Sequence, residues 1–384
     1  MNTIYVDNNA TTRVAPEVID AMLPFLKEMW GNPSSMHTFG GQVARHLDLA
    51  RERVAALIGA ERVSEIIFTS CGTESDNAAF HAALAAAPEK RRIATSSVEH
   101  PAVLNRAKDL AKQGYDVKFI PVDNLGRLDM AAFEAALSDD TALASIMWAN
   151  NETGVIFPIE KIAEICAARG IPLHVDAVQA AGKIPIDLKR TPISYLAISG
   201  HKLHAPKGIG ALYVRRGTPF SPLIVGGHQE RGRRAGTENV ASIVALGKAA
   251  ELAMAGMKTE CAQMTKLRDR LERGIIESIP RVYVHGDAEH RLPNTTNTGF
   301  EAVEGEAILL LLNEFGICAS SGSACASGSL DPSHVMIAMG IPFTRAHGSI
   351  RFSLSRYNTG EEIDLILEKM PGIIKRLREL SPVA

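Results

Sequence analysis

The chain has 384 residues, 46% of them hydrophobic and 22% charged, which is enough apolar material for a substantial core plus a second, smaller domain and excludes a disordered chain. The formal net charge of −2 gives no basic footprint for nucleic acid. The longest apolar run, residues 307–312, is far below the ~18 residues of a membrane span, and the polar start MNTIYVDNNATT lacks a signal-peptide layout, so no nucleic acid, no membrane and a cytoplasmic location are expected.

From about residue 65 to residue 215, short β-rich runs alternate with helical patterns: SEIIFTS, RIATSSV, VKFIPV, ALASIMWAN, IPLHVDAV, YLAISG and GALYVRR. This order predicts an α/β domain on a mostly parallel sheet. Several runs end in small or polar residues (SCGTESDN, VEHP, ANNETG, DAVQ, SGHK), and ligands of such sheets bind at the carboxyl ends of the strands, so these tails should meet at one site. A glycine- and arginine-rich loop, GGHQERGRRAGTEN, leads into a long helical pattern over residues 241–279 that reads as a bridge between domains. Beyond it, strand-like VYVHG, TNTGF and SIRFSLS mix with helical GEAILLLLNEFG, DPSHVMIAMG and EEIDLILEKMPGIIKRL, a smaller α+β domain. The expected division is 16–259 for the large domain, with 1–15 and 260–384 forming the small one.

Five cysteines, Cys71, Cys166, Cys261, Cys318 and Cys325, stand at irregular spacing without a C-x-x-C pair, which supports neither a disulfide framework nor structural zinc. Cys166, in EKIAEICAARG, reads as a small buried hydrophobe. The chemistry-bearing residues lie at the strand ends. Lys202 follows a strand directly in SGHKLHAPKGIG, where an aldehyde cofactor would need an amine able to shed its proton. Asp176 ends the apolar run of HVDAVQ, where a charge is costly without a partner, and a protonated pyridine nitrogen is a suitable one. Gly72 and Thr73, at a strand-to-helix junction, offer backbone N–H groups and a hydroxyl to a phosphate, with further donors from Ser199 and His201. The pair His201 and His204 lacks a third ligand nearby, and the cluster Arg231, Arg233 and Arg234 reads as an intersubunit or phosphate-proximal loop.

Over essentially its whole length the sequence resembles the class V, fold-type I pyridoxal-phosphate enzymes, and within them the NifS-type cysteine desulfurases. The resemblance is carried in order by YVDNNATT, GNPSS, FTSCGTESDN, EHPAV, WANNETG, HVDAVQ, SGHKLHAPKG, GGHQERGRRAGTEN, SSGSACASGSLDPSHV and RFSLSRYNT. It implies that pyridoxal 5′-phosphate is the cofactor, that His100 stacks on its ring and relays protons, that Gln179 bonds the ring hydroxyl and that Asn151 helps position ring and substrate. It further implies that Thr237 reaches the phosphate of a neighbouring subunit in a homodimer, and that Arg351 clamps the carboxylate of L-cysteine, a task suited to the guanidinium fork.

Cys325 sits in SSGSACASGS, a run without bulky anchors, and is expected to be mobile enough to take the substrate sulfur as a persulfide and pass it on. Asp331 and Pro332 then read as the start of a helix. Only a few per cent of a free thiol is ionised at neutral pH, and His100 is the expected proton acceptor. By resemblance the acceptor of the sulfur is an iron–sulfur scaffold protein, in the nitrogen-fixation branch, and Cys325 doubles as a transient iron–sulfur ligand. A selenocysteine lyase or a class V aminotransferase would share Lys202 and Asp176 without needing the thiol, and a non-catalytic scaffold-binding protein would need neither.

Overall fold

The computed structural model describes residues 3–321 and 332–381. Its centre is a seven-stranded sheet whose strands lie in the order Ile66–Thr69, Gly210–Val214, Tyr195–Ser199, Leu173–Asp176, Thr141–Ser145, Arg92–Ser96 and Asp116–Ile120. Only Gly210–Val214 runs against its neighbours; the other pairings are parallel. Parallel strands covered on both faces read as unbroken apolar runs, and every residue of Tyr195–Ser199 and of Thr141–Ser145 is buried. The run ALASIMWAN leaves regular strand at Ser145 yet stays on its neighbour: Ile146 N–H donates to His174 O (3.1 Å) and Trp148 N–H to Asp176 O (2.8 Å). Buried Trp148 anchors that extension, which carries the following residues toward the strand ends.

A second core surrounds a three-stranded antiparallel sheet of Val282–Val284, Thr295–Phe300 and Ser349–Ser353, with helices Gly305–Asn313 and Gly360–Leu380 against it. The N-terminal strand Ile4–Tyr5 pairs in parallel with Ile317–Cys318 and contributes Ile4 and Val6 to this core. The helix Val240–Ser278 feeds both cores: Ile243, Leu246 and Ala250 pack beneath the large sheet, Met264, Leu271 and Ile275 beneath the small one. It is apolar and long enough to cross a membrane by composition, and the physical reason for that composition is its burial, since 56% of its most apolar window lies inside the protein. Against helix Thr38–Leu57 the approach is so close that a Cβ on Gly247 would meet Ala50 Cα at 2.5 Å.

Candidate active site

The carboxyl ends of the parallel strands open into one cavity of about 480 Å³. Leu173–Asp176 delivers Asp176 at its last position, 6% exposed, with one carboxylate oxygen accepting from Val178 N–H at 2.9 Å. Burial pushes this carboxyl up, while His100, the Val178 N–H and Lys202 pull it back. The adjacent strand Tyr195–Ser199 runs into a single turn, Gly200–Lys202, that brings Lys202 to the same cavity. Lys202 Nζ donates to the main-chain oxygens of Asn9 and of Ala10, the latter at 2.7 Å.

The strand Ile66–Thr69 leads into helix Gly72–Ala86, whose start also lines the cavity. Cys71 caps it, its sulfur accepting from Glu74 N–H at 3.4 Å. A glycine is required next, because a Cβ on Gly72 would sit 2.8 Å from Val178 Cγ2 and 3.5 Å from Ser199 Cβ. The buried Ser199 hydroxyl has no hydrogen-bond partner among the described residues. Arg234 braces the helix start from the glycine-rich loop by donating to Glu74 Oε1 (2.9 Å) and Oε2 (3.2 Å). Thr237, in the same loop, is exposed and does not line the cavity.

His100 lines the cavity as the N-cap of helix Pro101–Lys112, and its Nδ1 accepts from Ala102 N–H at 3.2 Å. The neutral ring therefore carries its proton on Nε2 and presents a donor there. Burial lowers its basicity, Asp176 raises it, and Lys202 and His334 lower it further. The expectation that His100 takes a thiol proton meets a physical obstacle, since the ring nitrogen able to accept is already engaged with the helix. His201 Nδ1 pairs with Thr11 Oγ1 at 3.1 Å, and His204 Nδ1 with the Arg13 carbonyl at 2.9 Å, so the two histidines serve separate neighbours. Burial brings His201 down to about 4.

Opposite the strand ends stands Arg351, from the small-sheet strand Ser349–Ser353, 2% exposed. Its Nη2 donates to Asp7 Oδ1 at 2.7 Å and its Nη1 to the Asn151 main-chain oxygen at 2.9 Å. Asn151 lines the cavity beside it. Described residues on both sides of Cys325 meet this wall: Ser320 and Arg351 exchange backbone hydrogen bonds (3.3 and 2.6 Å), and His334 lines the cavity with its Nε2 at 2.9 Å from the Glu99 main-chain oxygen. Cys325 itself, with Asp331, lies outside the described residues. The helix after it spans His334–Ala338 and is capped by Ser333, whose Oγ accepts from Val335 N–H at 3.1 Å, two residues later than the Asp331 and Pro332 start expected.

Of the described residues expected in the site, all but Thr237 line this cavity: Gly72, Thr73, His100, Asn151, Asp176, Gln179, Ser199, His201, Lys202 and Arg351. Sequence reasoning passed over Asn9, Asp76 and Glu152, which line it too. Asn9 was within sight in YVDNNATT, and Glu152 in ANNETG. Asp76 is buried 3.3 Å from His174 Nε2, and burial, then Asp176 and Glu99, hold its carboxyl well above the usual range. The donor set fits pyridoxal 5′-phosphate: a helix start beside a buried hydroxyl without a partner among the described residues suits a phosphate, a buried carboxylate suits a pyridinium, and a strand-end lysine suits an aldehyde.

A family model described as aminotransferase class-V matches residues 4–366. A cysteine desulfurase of Trichormus azollae is 62% identical over 382 residues, covering 100% of this chain and 95% of the relative. The cysteine desulfurase NifS of Azotobacter vinelandii is 59% identical over 382 residues, with coverage of 100% and 95%. A solved NifS-like protein superimposes with a TM-score of 0.92 at 40% identity, covering 98% of this chain and 100% of its own. With a mostly parallel seven-stranded sheet, a lysine and an aspartate at its strand ends, and a match to the family over nearly all its length, the chain belongs to the class-V aminotransferases.

Proposed function

We propose that the chain is a pyridoxal-phosphate-dependent cysteine desulfurase that converts L-cysteine to L-alanine and carries the sulfur as a persulfide on Cys325. The observation that supports it best is the meeting of Lys202, Asp176 and the Gly72 helix start in one cavity with Arg351 facing them, in a chain similar over its full length to cysteine desulfurases. When bound, pyridoxal 5′-phosphate supplies an aldehyde for the substrate amine and a ring that absorbs electrons. Gly72, Thr73, Ser199 and His201 would hold the phosphate. Asp176 would keep the ring nitrogen protonated, its burial making a cationic partner the favoured one. Lys202 would bind the aldehyde and, once released from it, move the proton from the substrate α-carbon. His100, with its proton on Nε2, would donate to the ring side of the site.

Arg351 would grip the substrate carboxylate through a guanidinium already aligned by Asp7 and Asn151. The Cys325 thiolate would then attack the substrate sulfur. The S–S bond forms as the carbon–sulfur bond breaks, the electron pair stays on carbon, and a proton completes alanine, so that cysteine and a thiol give alanine and a persulfide. A cytoplasmic homodimer, with Thr237 reaching the partner's phosphate, and an iron–sulfur scaffold protein as sulfur acceptor complete the reading. The Azotobacter relative bears the name NifS, which favours a nitrogen-fixation setting; a transient iron–sulfur ligand role for Cys325 belongs to the same reading.

The test is to incubate the cofactor-loaded protein with cysteine and a reductant and to measure sulfide and alanine together for the wild type and for Cys325→Ala. Equal amounts of both products from the wild type, and loss of sulfide from the variant with its visible spectrum intact, are expected. A variant as active as the wild type would transfer the assignment to a selenocysteine lyase or an aminotransferase.

A further inference from the structure

The turn after the Asp176 strand carries a second lysine beneath the cavity. Gln179 lines the cavity, and its amide has two neighbours: Nε2 donates to the Asn9 main-chain oxygen at 3.0 Å, and Oε1 accepts from Lys183 Nζ at 3.1 Å. The same Nζ reaches the Gln179 main-chain oxygen, also at 3.1 Å. The sequence QAAGK makes this arrangement local. Gly182 adopts φ +74, and a Cβ there would meet Leu203 Cδ2 at 2.5 Å, so a glycine is needed for the chain to turn and place Lys183 back under Gln179.

An amide's oxygen and nitrogen are alike in shape, so their neighbours decide which way it faces. A charged Lys183 offers only hydrogens and the Asn9 carbonyl only lone pairs, so together they hold the Gln179 amide in one orientation. Of the two Nε2 hydrogens, Asn9 takes one and the other is left for an acceptor in the cavity. We propose that Lys183 is a positioning residue that, through Gln179, presents an N–H donor backed by a positive charge to an anionic oxygen of the cavity's occupant. The inference rests on the cofactor reading above, in which that oxygen belongs to the ring hydroxyl of pyridoxal phosphate. The Asn9 carbonyl also accepts from Lys202 Nζ, so Lys183, Gln179, Asn9 and Lys202 form one hydrogen-bonded chain under the reacting centre.

The groups around Lys183 are mixed in charge. Lys202 and Arg351 oppose its cation, and Cys261, whose thiol donates to the Lys183 carbonyl at 3.2 Å, favours it. His201 and His204 feel its charge, and Glu260 and Arg356 line the small pocket of about 30 Å³ on its other side. Desolvation, helped by Lys202, brings the Lys183 ammonium down to about 7, so its hold on Gln179 weakens above neutrality, when the amine can accept as well as donate.

The experiment loads wild type, Lys183→Met and Lys183→Arg with pyridoxal phosphate and titrates the visible absorbance against pH. Loss of the charge and of the oriented donor raises the titration midpoint of Lys183→Met by about one pH unit, and Lys183→Arg returns it to within a few tenths. If Lys183→Met does not fold, Lys183→Gln, neutral but still a donor, is expected to shift the midpoint by about half as much. In a Gln179→Leu background, Lys183→Met should add a clearly smaller shift than in the wild type, because only the direct repulsion between Lys183 and Lys202 is left to lose; an equally large shift there overturns the role of Gln179. A merely structural lysine would lower thermal stability and leave the midpoint in place, and that result overturns the proposal. Wild-type protein that takes up no cofactor would instead overturn the reading beneath it.

Discussion

Asp176 and Lys202 reach the cavity from adjacent strands of one sheet, whereas Arg351 reaches it from another sheet and is tied there by residues 344 and 200 positions away in the chain, Asp7 and Asn151. The floor of the site is placed by backbone register: wherever strands Leu173–Asp176 and Tyr195–Ser199 pair, their ends lie side by side. The wall joins three remote segments: a backbone bridge sets Asp7 beside Ser353, and the Arg351 side chain then ties its strand to Asp7 and to the Asn151 carbonyl. A floor substitution should therefore remove chemistry and leave the place intact, while a wall substitution should move the place itself.

Lys202→Ala is the sharpest way to break that contrast and carries the largest effect. Turnover should fall to background, yet thermal unfolding should drop only modestly, because apolar burial holds the strand and turn that carry the lysine and the amine adds only its bonds to the Asn9 and Ala10 carbonyls. Residual turnover near wild type would remove Lys202 from the floor's chemistry. For the wall, Arg351→Lys keeps the charge but loses the planar fork that bonds Asp7 and the Asn151 carbonyl together. Steady-state kinetics with cysteine should show KM raised roughly 10- to 100-fold, the equivalent of one hydrogen bond to a charged group, with kcat changed less. An unchanged KM would show that a point charge suffices and that the aligned fork has no part in substrate binding.

The same contrast governs what was legible beforehand. Register leaves a sequence signature, an apolar run closed by a small or polar tail, and that signature located Asp176, Lys202 and the Gly72 helix start with no tertiary information. Arg351 came from resemblance, since nothing in RFSLSR announces that Asp7 will hold it. Asn9, which receives Lys202 and Gln179 and itself donates to Thr295 Oγ1 at 2.8 Å, joins three remote segments, and its motif YVDNNATT does not say which segments those are. His100, expected to stack on the cofactor ring and relay protons, caps a helix while lining the cavity, because an imidazole has two nitrogens and the helix uses only one. The end of strand Thr141–Ser145 was overrun because Ile146–Trp148 is as apolar as a strand and continues its hydrogen bonding without regular geometry.

A smaller effect separates floor from wall through pH. Glu99 lies beneath the floor, fully buried, and one carboxyl oxygen accepts from Ser96 Oγ at 2.6 Å and from Met147 N–H at 3.0 Å, fixing the extension that carries Met147 into the cavity. Burial pushes its carboxyl up to about 8 despite both bonds, so the folded protein holds this proton more tightly than the unfolded chain, whose glutamates titrate near 4.5. The contribution to stability is therefore complete below about 4.5 and declines as pH rises from there through about 8, at up to about 1.4 kcal/mol per pH unit. Glu99→Gln keeps the accepting oxygen and cannot ionise, so urea unfolding at pH 5, 6, 7 and 8 should show a flatter dependence for the variant. Parallel curves for the two proteins would mean that Glu99 is ionised in the fold and that the Met147 extension is held by a charge. Flattening confined to the variant would place the proton on Glu99 and leave Asp176 as the carboxylate with a cation to meet.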